Sequence, residues 1–246
     1  MRDRSIYCET VNFPGFNGDI IEGYLAKSVG ETSTGSVVVI HHMPGYDRET
    51  KAIARRIADM GFNALCPNLH YRDAPKAQSD DAAAASRANG GVPDDRLIGD
   101  VAGASEYLRS LDNSSGTMGV IGYCSGGRQA FLAACNLDFD AVVDCYGAFV
   151  VNSPAPEFPI RVLPVADQAA NLSGALLGLF GIEDTFPSPD EVKELERILT
   201  SLDKVHEFHT FENAGHGFFA ADRPSYRIEA ANKGWVLVEE FFNRML

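Results

Sequence analysis

From Ser36 to the C-terminus the chain alternates between two kinds of segment, and this alternation constrains the fold more than any other feature. Short apolar runs occupy Ser36 to Ile40, Asn63 to Cys66, Thr117 to Ile121, Ala141 to Tyr146, Ala175 to Phe180 and Val205 to Phe211. Runs of this length read as strands buried on both faces. Between them lie segments with helical spacing. Arg48 to Met60 carries Ile53, Ile57 and Met60 on one side and stops at Gly61, and Asp94 to Leu111 carries Leu97, Val101 and Leu108. Arg128 to Ala134, Pro189 to Ser201 and a last segment from about Pro224 to Phe242 complete the set. Strands that alternate with helices form a largely parallel sheet covered on both faces. Upstream, Tyr7 to Phe13 and Asp19 to Ala26 flank Pro14-Gly15-Phe16-Asn17-Gly18, the pattern of an antiparallel hairpin at the start of the sheet. The expected class is α/β, with about eight strands in one domain spanning residues 1–246.

Two stretches interrupt the alternation. Residues 73–93 are rich in Ala, Asp, Ser and Gly without sustained periodicity, and are expected to form an excursion over the domain, a candidate lid or substrate loop. Asn152 to Pro164 is punctuated by prolines and reads as loop.

Charge narrows the range of partners. Thirty-four acids against twenty-one bases give a net charge of -13, with no block of Lys or Arg. Nucleic acids and anionic membranes select a basic face, so neither is expected as a partner. No apolar run approaches the length of a membrane span, and Met1 to Ser5 lacks the apolar core of a signal peptide, so a cytoplasmic location is expected. Five cysteines, at positions 8, 66, 124, 135 and 145, show no CxxC spacing and predict free thiols rather than a disulfide framework or a zinc site. Cys66, Cys135 and Cys145 sit in apolar runs and read as core.

In a doubly wound sheet, ligands bind beyond the carboxyl ends of the strands. Four connections at such ends carry polar or reactive groups: His41-His42-Met43-Pro44-Gly45, Gly122-Tyr123-Cys124-Ser125-Gly126-Gly127, Gly181-Ile182-Glu183-Asp184, and Glu212-Asn213-Ala214-Gly215-His216-Gly217. In the second, a strand runs into a helix through a very short glycine-rich turn, which pushes the thiol of Cys124 out above the helix N-terminus. The same pattern is compatible with a structural glycine turn around a buried thiol. Chain order favours chemistry, because nucleophile, acid and histidine follow one another as in an α/β-hydrolase, with G-x-C-x-G in place of G-x-S-x-G. A thiolate is accessible near neutral pH and is favoured by a helix N-terminus and an imidazolium. In this reading His216 takes the proton, Asp184 holds the imidazole in its tautomer, and the backbone N–H groups of Ser125 and Met43 form an oxyanion hole.

Taken together, these segments, with Cys66-Pro67-Asn68-Leu69, Gly99-Asp100-Val101, Phe180-Gly181-Ile182-Glu183-Asp184 and Ala214-Gly215-His216-Gly217-Phe218, resemble the dienelactone hydrolase family of the α/β-hydrolase superfamily. The resemblance runs from the first parallel strand to the last helix. It implies an α/β-hydrolase fold and a cysteine hydrolase of enol-lactones or related small esters. It also implies that no metal or organic cofactor is used, that Cys124, Asp184 and His216 are the triad, and that the protein is a monomer or small homo-oligomer.

The chain departs from the family pattern in two places. Where studied members carry a Glu that pairs with the resting thiol, this chain has His42, which either activates Cys124 or bonds a neighbouring backbone group. His41 is expected to point away, and no third ligand is spaced to build a metal site with the pair. Family members active on dienelactones bind the substrate carboxylate through arginines, whereas Arg72, Arg87 and Arg223 match none of those positions and read equally as surface or helix-cap residues. With Tyr123 they are the candidate substrate contacts. Two other readings share the scaffold: a ligand-binding or redox-responsive protein without catalysis, and an acyltransferase using the same cysteine.

Overall fold

A computed structural model describes residues 5–30, 33–158 and 160–246. Eight strands form one sheet: β1 (Ile6–Pro14), β2 (Ile20–Ser28), β3 (Thr34–Ile40), β4 (Asn63–Pro67), β5 (Ser114–Tyr123), β6 (Ala141–Cys145), β7 (Ala175–Gly181) and β8 (His206–Phe211). Their spatial order is β1-β2-β4-β3-β5-β6-β7-β8. The hairpin β1–β2 is antiparallel, with Ile6 opposite Ser28 and Pro14 opposite Ile20, and β2 is also antiparallel to β4. Every other pairing is parallel. The expected α/β-hydrolase architecture is therefore the observed one.

Both faces of the central parallel strands are buried because alternate residues feed two separate cores, whereas β8, expected to be buried likewise, lies at the sheet edge and is mostly half-buried. Val38, Ile40, Val120, Val142 and Leu176 pack against α3 (Asp94–Arg109) through Leu97, Val101 and Leu108, with α4 (Ser125–Ala134) and α5 (Pro189–Ser201) on the same side. Val37, Val39, Ile121, Val143 and Leu177 pack on the other side against α1 (Arg48–Met60) and α6 (Ile228–Met245). This two-sided burial is why these strands lack a polar/apolar alternation. Among the cysteines, Cys66, Cys135 and Cys145 are buried core residues, as their apolar contexts predict.

Helix boundaries follow capping chemistry. The Asp47 side chain accepts the Thr50 N–H at the start of α1, and Gly61 ends the helix at φ 109°, a left-handed conformation that glycine adopts without penalty. At α5, Ser188 and Glu191 form a reciprocal capping box with Pro189 in the first turn.

Two sequence expectations change. The stretch 73–93 contains a helix, α2 (Ser79–Ala88), whose buried residues are Ala82, Ala83 and Ser86. Its helical spacing is carried by small side chains with little hydrophobic contrast, which hides it from periodicity. The last helix begins at Ile228 rather than near Pro224. The residues before it are folded into turns, in which Tyr226 N–H donates to Arg223 O and Arg227 N–H donates to Phe218 O.

Strand order determines where a ligand can sit. The chain passes from β3 through α1 to β4 on one side, then returns through α3 to β5 on the other side of β3. The connections therefore diverge between β3 and β5, and a crevice opens beyond their carboxyl ends. Register aligns Ile40 with Gly122 and Tyr123 with Cys145, so the loop after β3, the β5–α4 turn and the loop after β6 converge there.

Candidate active site

Cys124 sits at the apex of the β5–α4 turn with φ 59° and ψ −121°. Such a backbone is costly for a residue with a Cβ and is held only where its surroundings over-determine it. Here Cys124 N–H donates to Cys145 O at 3.0 Å, and Gly127 N–H donates to Cys124 O at 3.0 Å. The glycines are sterically required. A Cβ on Gly122 would meet Gly126 O at 1.8 Å, and one on Gly126 would meet Ile40 O at 2.5 Å. Any other residue would push α4 away from the strand and withdraw the thiol from the crevice.

His216 and Asp184 come from the loops after β8 and β7, brought together because Gly181 aligns with Phe211 and Glu183 N–H donates to Ala214 O at 2.9 Å. Nδ1 of His216 lies 3.0 Å from Oδ2 of Asp184, whose side chain is fully buried. The other carboxylate oxygen accepts the Phe186 N–H at 2.8 Å. With Nδ1–H donated to the carboxylate, the opposite edge of the ring is left for the Cys124 thiol, which lines the same cavity. The ring edge of Tyr146 packs against the imidazole with centroids 5.2 Å apart.

Electrostatics favour charge separation across this contact. Burial opposes ionisation of the Cys124 thiol, but the hydrogen bond and charge of His216, together with the N–H groups of Ser125 and Met43, outweigh it and lower the pKa. Burial likewise opposes a charged His216, and the bonds to Asp184 and Cys124 outweigh it, so its pKa is raised. Both shifts favour a thiolate beside an imidazolium. The Ser125 and Met43 N–H groups thus both act on the sulfur.

The three buried core cysteines resist ionisation. Burial raises the pKa of Cys66 and Cys145 well above the usual thiol range and pushes Cys135 up to about 12.

The other candidates separate. His42 is turned toward its own loop: Nε2 lies 2.7 Å from Oδ2 of Asp47, and the ring lines a narrow crevice with Tyr123, Tyr146 and Phe219. It does not line the cavity at Cys124. Both expectations for it, activation of the thiol and a bond to backbone, give way to this carboxylate contact. His41 is buried and points away, with Nδ1 donating to His42 O at 2.8 Å and Nε2 accepting the Leu69 N–H at 3.3 Å. Burial pushes its pKa down to about 4. No group of three His, Cys, Asp or Glu side chains among the described residues is arranged to hold a metal ion.

Three expected substrate contacts lie elsewhere. Arg72 reaches both oxygens of the fully buried Asp100, at 2.8 and 3.0 Å, and also Asp19, locking the hairpin turn to α3. Arg223 is partly exposed beside Asp222 at 3.8 Å and is not part of the cavity wall. Tyr123 is buried among Tyr146, Phe219 and Trp235, on the far side of the strand from the cavity. Strand alternation explains this, since Tyr123 and Ile121 share the face that meets α6. Arg87, from α2, does line the cavity.

That cavity, about 340 Å³, opens at Cys124, Ser125 and His216 and continues between Met43, Val92 and Phe149. Its outer wall comes from Phe158, Ile160, Val162 and Phe186, which sequence analysis did not single out. Apolar side chains in a proline-punctuated loop were the available signal. Arg128 was also missed. It makes paired bonds to Asp94 at 2.8 and 2.9 Å and donates to Leu163 O, tying the loop after β6 to the start of α3.

Comparison with known proteins matches this arrangement to a family. The model of the dienelactone hydrolase family matches residues 21–246. A carboxymethylenebutenolidase of Rhodococcus opacus is 30% identical over 229 residues, covering 91% of this chain and 86% of that one. A carboxymethylenebutenolidase homologue of Yersinia pestis is 28% identical over 249 residues, covering 99% and 91%. Among solved structures, a dienelactone hydrolase homologue from Klebsiella pneumoniae superposes with a TM-score of 0.84 at 23% identity, covering 97% of this chain and 99% of that one, a likeness of fold. The chain belongs to the dienelactone hydrolase family and is a hydrolase acting on ester bonds.

Proposed function

We propose that the protein hydrolyses lactones or small carboxylic esters through a thioester on Cys124, with His216 and Asp184 completing the triad. The observation that carries this reading is the geometry that sets Cys124 and His216 on the wall of one cavity with Nδ1 of His216 3.0 Å from Asp184, and the lowered pKa of Cys124 beside the raised pKa of His216 supports it. The thiolate attacks the carbonyl carbon, and the negative charge moves to the carbonyl oxygen, which the Ser125 and Met43 N–H groups receive. The intermediate collapses as the C–O bond breaks, and the leaving alkoxide takes the proton from the His216 imidazolium. In a lactone the new hydroxyl stays attached to the acyl chain. Water then attacks the thioester, gives its proton to His216, and the thiolate departs with the carboxylic acid released. Asp184 holds the imidazole tautomer through both steps. The segment 73–93, with Arg87 of α2, Gly91 and Val92 on the cavity wall, acts as the substrate loop.

The test is intact-mass detection of an acyl adduct during turnover of a slow ester, mapped by peptide digestion. An adduct on Cys124, with turnover abolished in Cys124→Ala and folding retained, is expected. Full turnover by Cys124→Ala would sink the reading. Release of free acid in water, without transfer to added amines or thiols, separates hydrolysis from acyl transfer.

A further inference from the structure

The cavity wall carries three aromatic rings, two of which are poorly explained as core. Phe149, Phe158 and Phe186 interlock with centroids 5.1, 5.6 and 5.7 Å apart, tilted or edge-on to one another. Phe158 and Phe186 are 37% and 44% exposed, and all three line the cavity that holds Cys124. Phe149 is held at φ 66°, an uncommon conformation for a bulky residue, in the loop that follows β6. Two exposed rings packed on a third whose backbone is strained, gathered around a concavity, are what a ligand contact requires and a core does not.

Charge at the same cavity is sparse. Of its two arginines, Arg128 is committed to Asp94 and Leu163 O. Arg87 has no ion-pair partner among the described residues.

We infer that the Phe149–Phe158–Phe186 cluster is a specificity subsite for a flat apolar group, so that the preferred substrates are esters whose acyl part carries an aryl or similar hydrocarbon end rather than a second charged group. This rests on Cys124 as the acyl acceptor, since the subsite lies in the same cavity as the thiol. The rings receive an aromatic edge or face, and the wall at Ile160 completes its burial.

The experiment uses trifluoroethyl esters of acetic, succinic and 3-phenylpropionic acids, so that one small leaving group is held constant and only the acyl part varies. Wild-type kcat/KM is expected to be about tenfold or more higher for the phenylpropionate than for either other ester. Phe158→Ala and Phe186→Ala, checked for folding by thermal melting, should each bring that ratio toward one. In parallel, 3-phenylpropionamide binding to Cys124→Ala is measured by calorimetry, with and without Phe158→Ala, and binding is expected to weaken about fivefold in the double variant. Equal or lower kcat/KM for the phenylpropionate, with acyl-Cys124 still formed from the acetate, overturns the subsite and spares the hydrolase reading. Absence of acyl-Cys124 with all three esters, while the amide still binds in a Phe158-dependent way, overturns the hydrolase reading and keeps the subsite. Amide binding that Phe158→Ala leaves unchanged counts against the subsite.

Discussion

Nε2 of His42 lies 2.7 Å from Oδ2 of Asp47, and Oδ1 of the same carboxylate accepts the Thr50 N–H at 2.8 Å to cap α1. Burial opposes the charge on Asp47, but the contacts with His42 and Thr50 outweigh it and hold the carboxyl well below its usual range. The imidazole next in sequence to Met43 is therefore occupied in shaping its loop, and the imidazole that shares a cavity with Cys124 arrives from the loop after β8.

Replacing each histidine separates these roles. In His216→Ala the thiolate absorbance near 240 nm should titrate at higher pH than in the wild type, because the interaction that lowers the Cys124 pKa is removed. In His42→Ala that titration should stay in place while stability falls by about 1 kcal/mol through the lost contact with Asp47. A His42→Ala shift as large as that of His216→Ala would restore His42 as the activating group.

Alkylation should be selective and depend on pH in a defined direction. A thiol with a lowered pKa gains its thiolate at lower pH than an ordinary cysteine, so its reactivity persists into mildly acidic solution. His216, with its pKa raised, keeps its proton to higher pH, so the thiolate–imidazolium pair fills the interval between the two values. The pair is lost at the acid end by protonation of sulfur and at the alkaline end by deprotonation of the ring. Limited iodoacetamide at pH 6.5, followed by peptide mapping, should label Cys124 before Cys66, Cys135 and Cys145, which are buried and resist ionisation.

Arg72 should matter for folding rather than for turnover. Removing its guanidinium strands the fully buried carboxylate of Asp100, which among the described residues then keeps only the Phe16 N–H at 2.9 Å. Breaking a buried pair on one side costs about 3–5 kcal/mol. Arg72→Met should therefore lower the urea midpoint strongly, with kcat/KM of the folded fraction within about twofold of wild type, since Arg72 is not on the cavity wall.

Asp144 gives the fold a pH dependence of its own. It lies in β6 with no exposure, one oxygen accepting the Gly147 N–H at 2.7 Å and the other without a hydrogen-bond partner among the described residues. Burial raises its pKa to about 7, against the opposing bond from Gly147. Between the ordinary carboxylate range and that value the folded chain holds a proton that the unfolded chain has released, so stability falls as pH rises. Asp144→Asn should flatten this decline, with wild type and variant diverging by roughly 1–3 kcal/mol between pH 5 and pH 8 in chemical unfolding. Parallel curves would show that Asp144 stays charged in the folded protein.

How much of this was legible in the sequence depends on the range over which each feature is encoded. The elbow was readable because its glycines answer to contacts within a few residues, and the long helices were readable because Ile, Leu and Val repeat at helical spacing. Helix α2 was missed because Ala82, Ala83 and Ser86 bury a face with almost no hydropathic contrast. Chain order placed Asp184 and His216 with Cys124, since each follows a strand and parallel strands end on the same side. Long-range partners were not readable. Arg72 lies 28 residues from Asp100, and Arg128 lies 34 from Asp94. Only folding decides which of several free-looking arginines meets a buried carboxylate.

Sequence by itself determined the alternating sheet, the strained cysteine turn and the order of the three polar groups, because local periodicity and glycine sterics act along the chain. Tertiary structure alone decided that His42 belongs to Asp47, that Arg72 and Tyr123 serve the fold, and that three phenylalanines from two loops line the cavity that holds Cys124. Those outcomes depend on side-chain direction and on which loops converge beyond the strand ends, and a one-dimensional pattern carries neither.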